Sequence, residues 1–241
     1  MRLTRLSSIL PPWANRALRP FAMPLIKRRA SAFYSALIPR RSLVFDVGAN
    51  VGDLTDVFLS IGSKVVCIEP NPGCAEGLRR KYRGRADVVV VGKGAGSGEG
   101  EMPFYISDES PSLSTFSEEW KKGRFSDTKW DRQIMVPLTT LDRLIGEHGV
   151  PHYCKIDVEG YELPVLEGLG RRLELLSFEF TREFIGNAER CASRLESLGF
   201  REFGYSLYSE YRIQGWAGRK ELFGALSRLP DERLCGDIFA R

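Results

Sequence analysis

VFDVGANVGD, at residues Val44–Asp53, is an apolar strand that runs into a glycine-rich turn and then opens a helix. In parallel α/β sheets, ligands bind beyond the carboxyl ends of the first strands, so this turn predicts a ligand site. Gly48 and Gly52 allow the backbone to turn tightly and to approach a ligand. The helix that begins near Asp53 presents free backbone N–H groups to the same place.

Two residues of this turn discriminate between ligand classes. In the dinucleotide pattern G-x-G-x-x-G, the middle glycine lets a pyrophosphate approach the backbone, and here that position holds Asn50. The strand also ends near Asp46, whose carboxylate repels a phosphate pair at short range. A ligand with an ammonium and a carboxylate suits the turn better, because Asp46 pairs with the cation while backbone N–H groups receive the anion. S-adenosylmethionine has such an amino-acid end.

A second acid follows 23 residues after Asp46. The apolar run at Val65–Ile68 predicts a strand, and it ends in EPNP at Glu69–Pro72. A carboxylate at the end of this strand accepts hydrogen bonds from both ribose hydroxyls of an adenosine cofactor, a feature that NAD enzymes share. We assign Glu69 and the nearby Asn71 to cofactor binding.

From Ser42 onward, short apolar runs alternate with helical segments, which is typical of a mostly parallel α/β sheet. We predict strands at residues 43–47, 64–68, 86–91, 152–156, 173–180 and 201–206. Helices are predicted at 53–61, 74–82, 141–148, 161–169 and 188–198. The stretch 107–131 lacks periodicity but carries four aromatic residues, which favours a lid or binding loop.

The charge is divided unevenly along the chain. Residues 1–41 hold nine Lys or Arg, no acid and five prolines, whereas residues 42–241 carry 26 basic and 31 acidic side chains. We therefore predict a basic arm at 1–41 and a folded domain at 42–241. The prolines predict no long helix before Pro24, and residues 25–38 have the spacing of an amphipathic helix. The mildly acidic domain argues against a nucleic-acid partner.

Location and metal content are predicted from what the sequence lacks. No apolar run has the length of a signal core or a membrane span, and five cysteines form no C-x-x-C pair. We predict a cytoplasmic protein with reduced thiols. Docking of the basic arm to a membrane surface or a partner is the alternative. The two histidines have no metal-ligand spacing, so we predict no metal site.

Four ordered blocks resemble the FkbM-type S-adenosylmethionine-dependent methyltransferases. They are FDVGANVG at 45–52, VCIEPNP at 66–72, VPLTTLD at 136–142 and KIDVEGYELPVLEG at 155–168, the last being the most specific. The resemblance implies an α/β, Rossmann-like class I methyltransferase. Its sheet has seven mostly parallel strands, the last antiparallel, with helices on both faces. The implied reaction is methyl transfer to a hydroxyl oxygen of a sugar, glycan or natural product.

The same resemblance implies roles for individual residues. Three loops are expected to hold S-adenosylmethionine, the first at its methionine end, the second at its ribose and the third at its adenine. The residues concerned are, in that order, Asp46, Gly48, Asn50 and Gly52; then Glu69; then Gly94 and Ala95.

Two carboxylates are the candidates for catalysis. Asp157 leaves the strand at 152–156 at its carboxyl end, and Glu159 follows at the start of the next helix. Methyl transfer needs an aligned nucleophile, and a hydroxyl also benefits from a base that takes its proton. The alternative is structural, with Glu159 capping its helix and Asp157 orienting the loop. Together they could also ligate magnesium, for which two carboxylates are weak evidence.

Other functions and acceptor sites compete with this interpretation. An NAD-dependent oxidoreductase is one alternative, and a non-catalytic binding or scaffold protein that keeps the fold is another. For the acceptor site we favour the loop at 107–131. We interpret the aromatic residues between 203 and 216 as sheet packing rather than as a substrate platform.

Overall fold

The computed structural model describes residues 12–122, 125–208, 210–231 and 234–241, with side chains from Met23 onward. Within these ranges the strands fall into a large sheet and a small one. In chain order they are β1 (Leu43–Val47), β2 (Lys64–Ile68), β3 (Val88–Val91), β4 (Gly94–Ala95), β5 (Gly100–Ile106), β6 (Arg132–Thr139), β7 (Tyr153–Ile156), β8 (Leu175–Thr181), β9 (Phe203–Leu207), β10 (Gln214–Ala217) and β11 (Cys235–Ala240).

The α-helices of the described residues lie between these strands or precede them. They are α1 (Pro12–Leu37), α2 (Asp53–Ser60), α3 (Pro72–Lys81), α4 (Leu141–His148), α5 (Glu162–Glu167), α6 (Ile185–Ser197) and α7 (Arg219–Ser227). Among the described residues, short 3₁₀ turns occupy Pro111–Leu113 and Arg182–Phe184.

The large sheet has the order β10-β9-β11-β8-β7-β1-β2-β3. Its five strands from β8 to β3 are parallel, and β11 inserts antiparallel between β8 and β9. This arrangement confirms the predicted α/β, Rossmann-like class, including the antiparallel last strand. The sheet has eight strands in the described residues rather than seven, because β10 adds an antiparallel edge strand beside β9.

Alternating side chains of the central strands enter two separate cores. Phe45 and Val47 of β1 face one core, to which α4, α5, α6 and α7 contribute. Val44, on the other face, packs with residues of α1, α2 and α3. Helices therefore cover both faces, and the carboxyl ends of β1, β2 and β7 meet at one edge of the sheet.

The small sheet, in the order β4-β6-β5, was absent from the sequence-based prediction. Strands β5 and β6 pair antiparallel from Gly100–Leu138 to Ile106–Arg132. The aperiodic stretch 107–131 connects them, so the small sheet fixes both ends of that loop. Phe104, Ile106, Phe116 and Val136 form its buried core.

The prediction that no long helix forms before Pro24 was wrong, because α1 runs without interruption through Pro20 and Pro24. An internal proline removes a backbone donor, and this cost is offset by burial of the second half of the helix. Ala30, Tyr34 and Ile38 are at most 3% exposed against the sheet. The predicted boundary at residue 41, between a basic arm and the folded domain, stays a prediction.

Candidate functional site

A cavity of about 440 Å³, including its open mouth, lies at the carboxyl ends of β1, β2 and β7. We call it the first cavity. Its wall combines the ends of these strands with β4, β5 and the loop that follows β5. The lining residues are Val47, Gly48, Asn50, Ile68, Glu69, Pro70, Gly94, Ala95, Phe104, Pro111, Ser112, Ser114, Phe116, Asp157, Val158 and Glu159.

Gly48 allows the loops after β1 and β7 to approach closely. Its φ is +85°, in the left-handed region that favours glycine. A Cβ atom there would lie 1.9 Å from the carbonyl oxygen of Asp157. The Asp157 N–H donates to the Val47 carbonyl at 2.9 Å on the same side. These contacts place Asp157 directly beside the glycine-rich turn.

Glu69 is held at the cavity wall by two backbone donors. Its Oε2 accepts from the Asn50 N–H at 2.7 Å, and its Oε1 accepts from the Asn71 N–H at 2.8 Å. Burial raises the pKa of Glu69 to about 7, although these two hydrogen bonds oppose the shift. Asn50 itself has φ +50°, a conformation that asparagine adopts more readily than most residues. The turn therefore presents a fixed carboxylate to the cavity.

Asp46 lies beneath the turn rather than in the wall of the first cavity. It is 3% exposed, and its Oδ2 accepts from the Thr55 hydroxyl at 2.5 Å. Burial raises its pKa to about 6, against the Thr55 hydrogen bond and the charge of Lys155, which lower it. The carboxylate holds the first turn of α2 against the end of β1.

Gly52 and Asn71 also support the cavity without lining it. Gly52 precedes α2 with φ +78°, and its carbonyl accepts from the Tyr82 hydroxyl at 3.0 Å. Asn71 caps α3, because its Oδ1 accepts from the Gly73 N–H at 3.0 Å. Both residues set the paths of the loops that carry Asn50 and Glu69.

The small sheet supplies an apolar side to the first cavity. Gly94 of β4 lies against Phe116, and a Cβ atom there would be 2.5 Å from the Phe116 ring. Phe116 packs on Phe104 with ring centroids 4.6 Å apart. Ser112 and Ser114, in the loop that follows β5, also line the cavity. Part of the 107–131 loop thus belongs to the same cavity as the glycine-rich turn.

Asp157 is paired with a buried cation. The Lys155 Nζ is 3.1 Å from Asp157 Oδ2 and 3.0 Å from Asp237 Oδ1, and the Lys155 side chain is only 3% exposed. Burial alone would lower the pKa of Lys155, but the charges of Asp157, Asp237 and Glu179 raise it well above its usual range. Lys155 is therefore a permanent cation that holds Asp157 in place.

Glu159 has an unusual backbone conformation for its type. Its φ is +54°, in the left-handed region where a non-glycine residue is strained. Its carbonyl accepts from the Thr115 hydroxyl at 2.7 Å, which fixes it to the 107–131 loop. The next residue, Gly160, has φ +93°, and a Cβ atom there would lie 2.7 Å from the Trp120 ring. The 107–131 loop thus holds the strained turn at two points.

Glu179, at the end of β8, lies beside both candidate catalytic acids. Carboxylate oxygens of Asp157, Glu159 and Glu179 are within 4.8 Å of one another. Oxygen donors in such a group suit a hard divalent cation, but a cluster of acids is not in itself a metal site. The prediction that the protein has no metal stays a prediction.

The structure gathers most of the predicted site residues at one cavity. Both candidate catalytic residues, Asp157 and Glu159, line it. So do five of the predicted cofactor residues, which are Gly48, Asn50, Glu69, Gly94 and Ala95. Sequence reasoning missed Phe104 of β5 because it did not predict the small sheet, whereas Phe116 belongs to the stretch that was predicted to be a lid or binding loop. The alternation of Met102, Phe104 and Ile106 with polar or smaller residues was the available signal.

The lining suits S-adenosylmethionine better than a dinucleotide. Ile68, Phe104 and Phe116 are apolar surfaces on which a planar base can pack, and Glu69 is a fixed acceptor for hydroxyls. Asp157 and Glu159 add negative charge, which attracts a sulfonium cation and repels a pyrophosphate. The residues present therefore fit this cofactor.

Comparison with known proteins gives the same assignment. The family model described as the methyltransferase FkbM domain matches residues 46–206, more than half of the chain. Hexuronic acid methyltransferase AglP of Haloferax volcanii is 27% identical over 139 residues, which cover 56% of this chain and 53% of that protein. This chain thus matches about half the length of that relative.

Solved methyltransferases resemble the structure at low sequence identity. Precorrin-6Y C5,15-methyltransferase from Geobacter metallireducens has a TM-score of 0.48 at 11% identity, covering 88% of this chain and 86% of that one. Aeropyrum pernix fibrillarin, solved with natively bound S-adenosyl-L-methionine, has a TM-score of 0.46 at 11% identity, covering 88% and 73%. The assignment to a family rests on the match to the family model and not on these structures. The chain belongs to the FkbM methyltransferase family, and its cofactor is S-adenosylmethionine.

Proposed function

We propose that this methyltransferase acts on a hydroxyl oxygen of a sugar, glycan or natural product. The observation that carries the proposal is the position of Asp157 and Glu159, two carboxylates at the end of β7 in the wall of the first cavity. A hydroxyl nucleophile loses a proton on methylation, so a carboxylate beside the reacting oxygen assists the reaction.

Each cofactor contact is assigned to a residue or loop. When bound, S-adenosylmethionine supplies a methyl group on a positively charged sulfur, and transfer replaces the C–S bond by a C–O bond with the electron pair left on sulfur. Glu69 accepts from the ribose hydroxyls, and Gly94 and Ala95 flank the adenine. Gly48 and Asn50 receive the methionine end. Asp46, Gly52 and Asn71 hold these loops in position.

Asp157 and Glu159 have the two catalytic roles that remain. One takes the hydroxyl proton and the other orients the acceptor oxygen toward the methyl group. Lys155 keeps the Asp157 carboxylate in a fixed position, with its Nζ 3.1 Å from Oδ2. Thr115 keeps the strained Glu159 backbone in place through the 2.7 Å hydrogen bond to its carbonyl.

The relative from Haloferax volcanii supports a sugar acceptor, since that protein is a hexuronic acid methyltransferase. The family match argues against the alternative of an NAD-dependent oxidoreductase, because the family consists of methyltransferases. A scaffold role is disfavoured by the grouping of the candidate acids at the cavity.

We further propose a cytoplasmic enzyme without a nucleic-acid partner. No helix among the described residues is both long and apolar enough to span a bilayer.

The test is formation of S-adenosylhomocysteine from S-adenosylmethionine with a panel of hydroxylated sugars and natural products. We expect Asp157→Asn to lower kcat about 100-fold or more, within the range of general-base effects, while the Kd for S-adenosylhomocysteine changes little. Asp87→Asn is the matched control, because Asp87 is ion-paired with Arg85 at 2.7 Å on the surface. Equal activity of the two variants would exclude a catalytic role for Asp157.

A further inference from the structure

A second cavity of about 490 Å³, including its open mouth, lies beside the first. It is enclosed between the large sheet and the helices α1 and α2. Asp157 is part of the wall of both cavities. A molecule in the second cavity can therefore reach the same carboxylate as the cofactor in the first.

Aromatic rings form much of the second cavity. Phe33 of α1 lies 6.0 Å from the ring of Tyr211 and 5.7 Å from that of Phe239, measured between centroids. Tyr34 and Tyr208 complete this set. Aromatic faces combined with phenol hydroxyls suit a ligand that has an apolar face and a polar edge, as a sugar ring does.

Two of these tyrosines have strained backbone conformations. Tyr208 has φ +51° and Tyr211 has φ +52°, both in the left-handed region. Such conformations in bulky residues persist where the surroundings enforce them, and they concentrate at ligand sites. Arg29 of α1 donates to the Glu210 carbonyl at 3.2 Å, which connects the helix to this strained segment. The aromatic residues near the end of β9 were predicted to be sheet packing, and here two of them line a cavity.

The polar groups of the second cavity carry a net negative charge. Lys155 contributes one positive charge, and Asp157 and Asp237, which flank it, contribute two negative charges. Ser206 lies opposite Asp237 in the β9–β11 ladder and adds a hydroxyl. Since the lysine is already shared by two carboxylates, a further anion gains little from it and is repelled by them.

We propose that the second cavity binds the methyl acceptor, and that this acceptor is a neutral hydroxylated ring such as an uncharged sugar. The inference rests on the proposed function and adds the place and charge of its substrate. Asp157 lines both cavities, so an acceptor hydroxyl in the second and a cofactor bound in the first would both lie beside its carboxylate. Helix α1 thereby becomes a wall of the active site.

Another cavity, on the opposite face of the sheet, is the competing acceptor site. It is lined by Trp120, Phe184 and Asn187, among others, but by neither Asp157 nor Glu159. Neither candidate acid would line an acceptor site there, although Gly160, the residue after Glu159, would. The comparison of the two cavities supplies the matched control for the experiment.

The experiment fills each cavity in turn. Leu54→Trp places an indole in the second cavity. Asn187→Trp places one in the competing cavity on the opposite face of the sheet. The probes are methyl glycosides of neutral hexoses and, for comparison, glucuronic and galacturonic acid. Binding is followed by saturation-transfer NMR with S-adenosylhomocysteine present, and transfer by S-adenosylhomocysteine release.

We expect Leu54→Trp to weaken glycoside binding at least 10-fold, with the Kd for S-adenosylhomocysteine unchanged within about twofold. Asn187→Trp should bind the glycosides as the parent protein does. Loss of binding in Asn187→Trp alone, preference for the uronic acids, or no saturation transfer to any neutral glycoside would overturn the proposal. Failure to bind S-adenosylhomocysteine at all would instead contradict the proposed function.

Discussion

Glu69 is buried in the wall of the first cavity, where we propose that it accepts the ribose hydroxyls of the cofactor, so its ionisation should control affinity. Burial raises its pKa to about 7, so the fraction of the accepting carboxylate grows as the pH rises through that value. We predict that the Kd for S-adenosylhomocysteine falls between pH 6 and pH 8. Glu69→Gln should weaken binding about 10- to 100-fold and flatten this dependence, as calorimetry can measure. A pH dependence that persists unchanged in the variant would assign it to another group.

Substitutions at Glu159 separate the effect of its side chain on turnover from the effect of its backbone conformation on stability. A glycine at φ +54° relieves strain, whereas glutamine keeps the strain and removes only the charge. We predict that Glu159→Gly raises stability by roughly 0.5 to 1 kcal/mol, while both variants lose turnover. Thermal denaturation and initial rates measure the two effects. A destabilised glycine variant would show that the conformation carries no strain.

At the scale of elements, Gly48 joins the loop after β1 to the loop after β7. A methyl group there would lie 1.9 Å from the Asp157 carbonyl oxygen, at a φ that alanine tolerates poorly. We predict that Gly48→Ala destabilises the protein by roughly 2 to 4 kcal/mol and abolishes cofactor binding. Gly77→Ala in α3 is the control, since its Cβ meets nothing within 4 Å. That substitution should stabilise the helix by about 0.5 to 1 kcal/mol.

The elements differ in how far the sequence could predict them. Strands β1, β2 and β7 lie close to their predicted positions because strands buried on both faces give continuous apolar runs. Strands β5 and β6 were missed, since each pairs in a small sheet with one exposed face and contains a proline, Pro103 or Pro137. Helix α1 was predicted too short, because the prolines before residue 25 were taken to prevent a helix that in fact runs through Pro20 and Pro24.

The residues of the candidate site also differ in how far the sequence could predict them. Gly48, Asn50 and Glu69 were predictable because they follow strands whose ends meet by topology. The positions of Phe104 and Phe116 depend on the small sheet, and the contribution of Phe33 depends on how α1 packs. A local pattern can indicate a strand such as β5, but it does not show which cavity the side chains of a strand or helix line.

For the whole molecule, α1 should be an integral part of the fold. Tyr34 packs on Phe58 and Tyr153 with ring centroids 5.0 and 5.7 Å away, and all three side chains are buried. We predict that deleting residues 1–38 lowers the melting temperature by about 10 °C or more or prevents folding. Deletion of residues 1–22, which leaves these contacts, is the matched control. Equal stability of the two truncated proteins would show that α1 is dispensable.

The most direct test of the central claim is calorimetric titration of the protein with S-adenosylmethionine, S-adenosylhomocysteine and NAD, repeated on Glu69→Ala. The first cavity should bind both adenosyl amino acids saturably and NAD not at all, and Glu69→Ala should lose most of that affinity. Binding of NAD in preference to the other two, or affinity for S-adenosylhomocysteine that is unchanged in Glu69→Ala, would contradict the account.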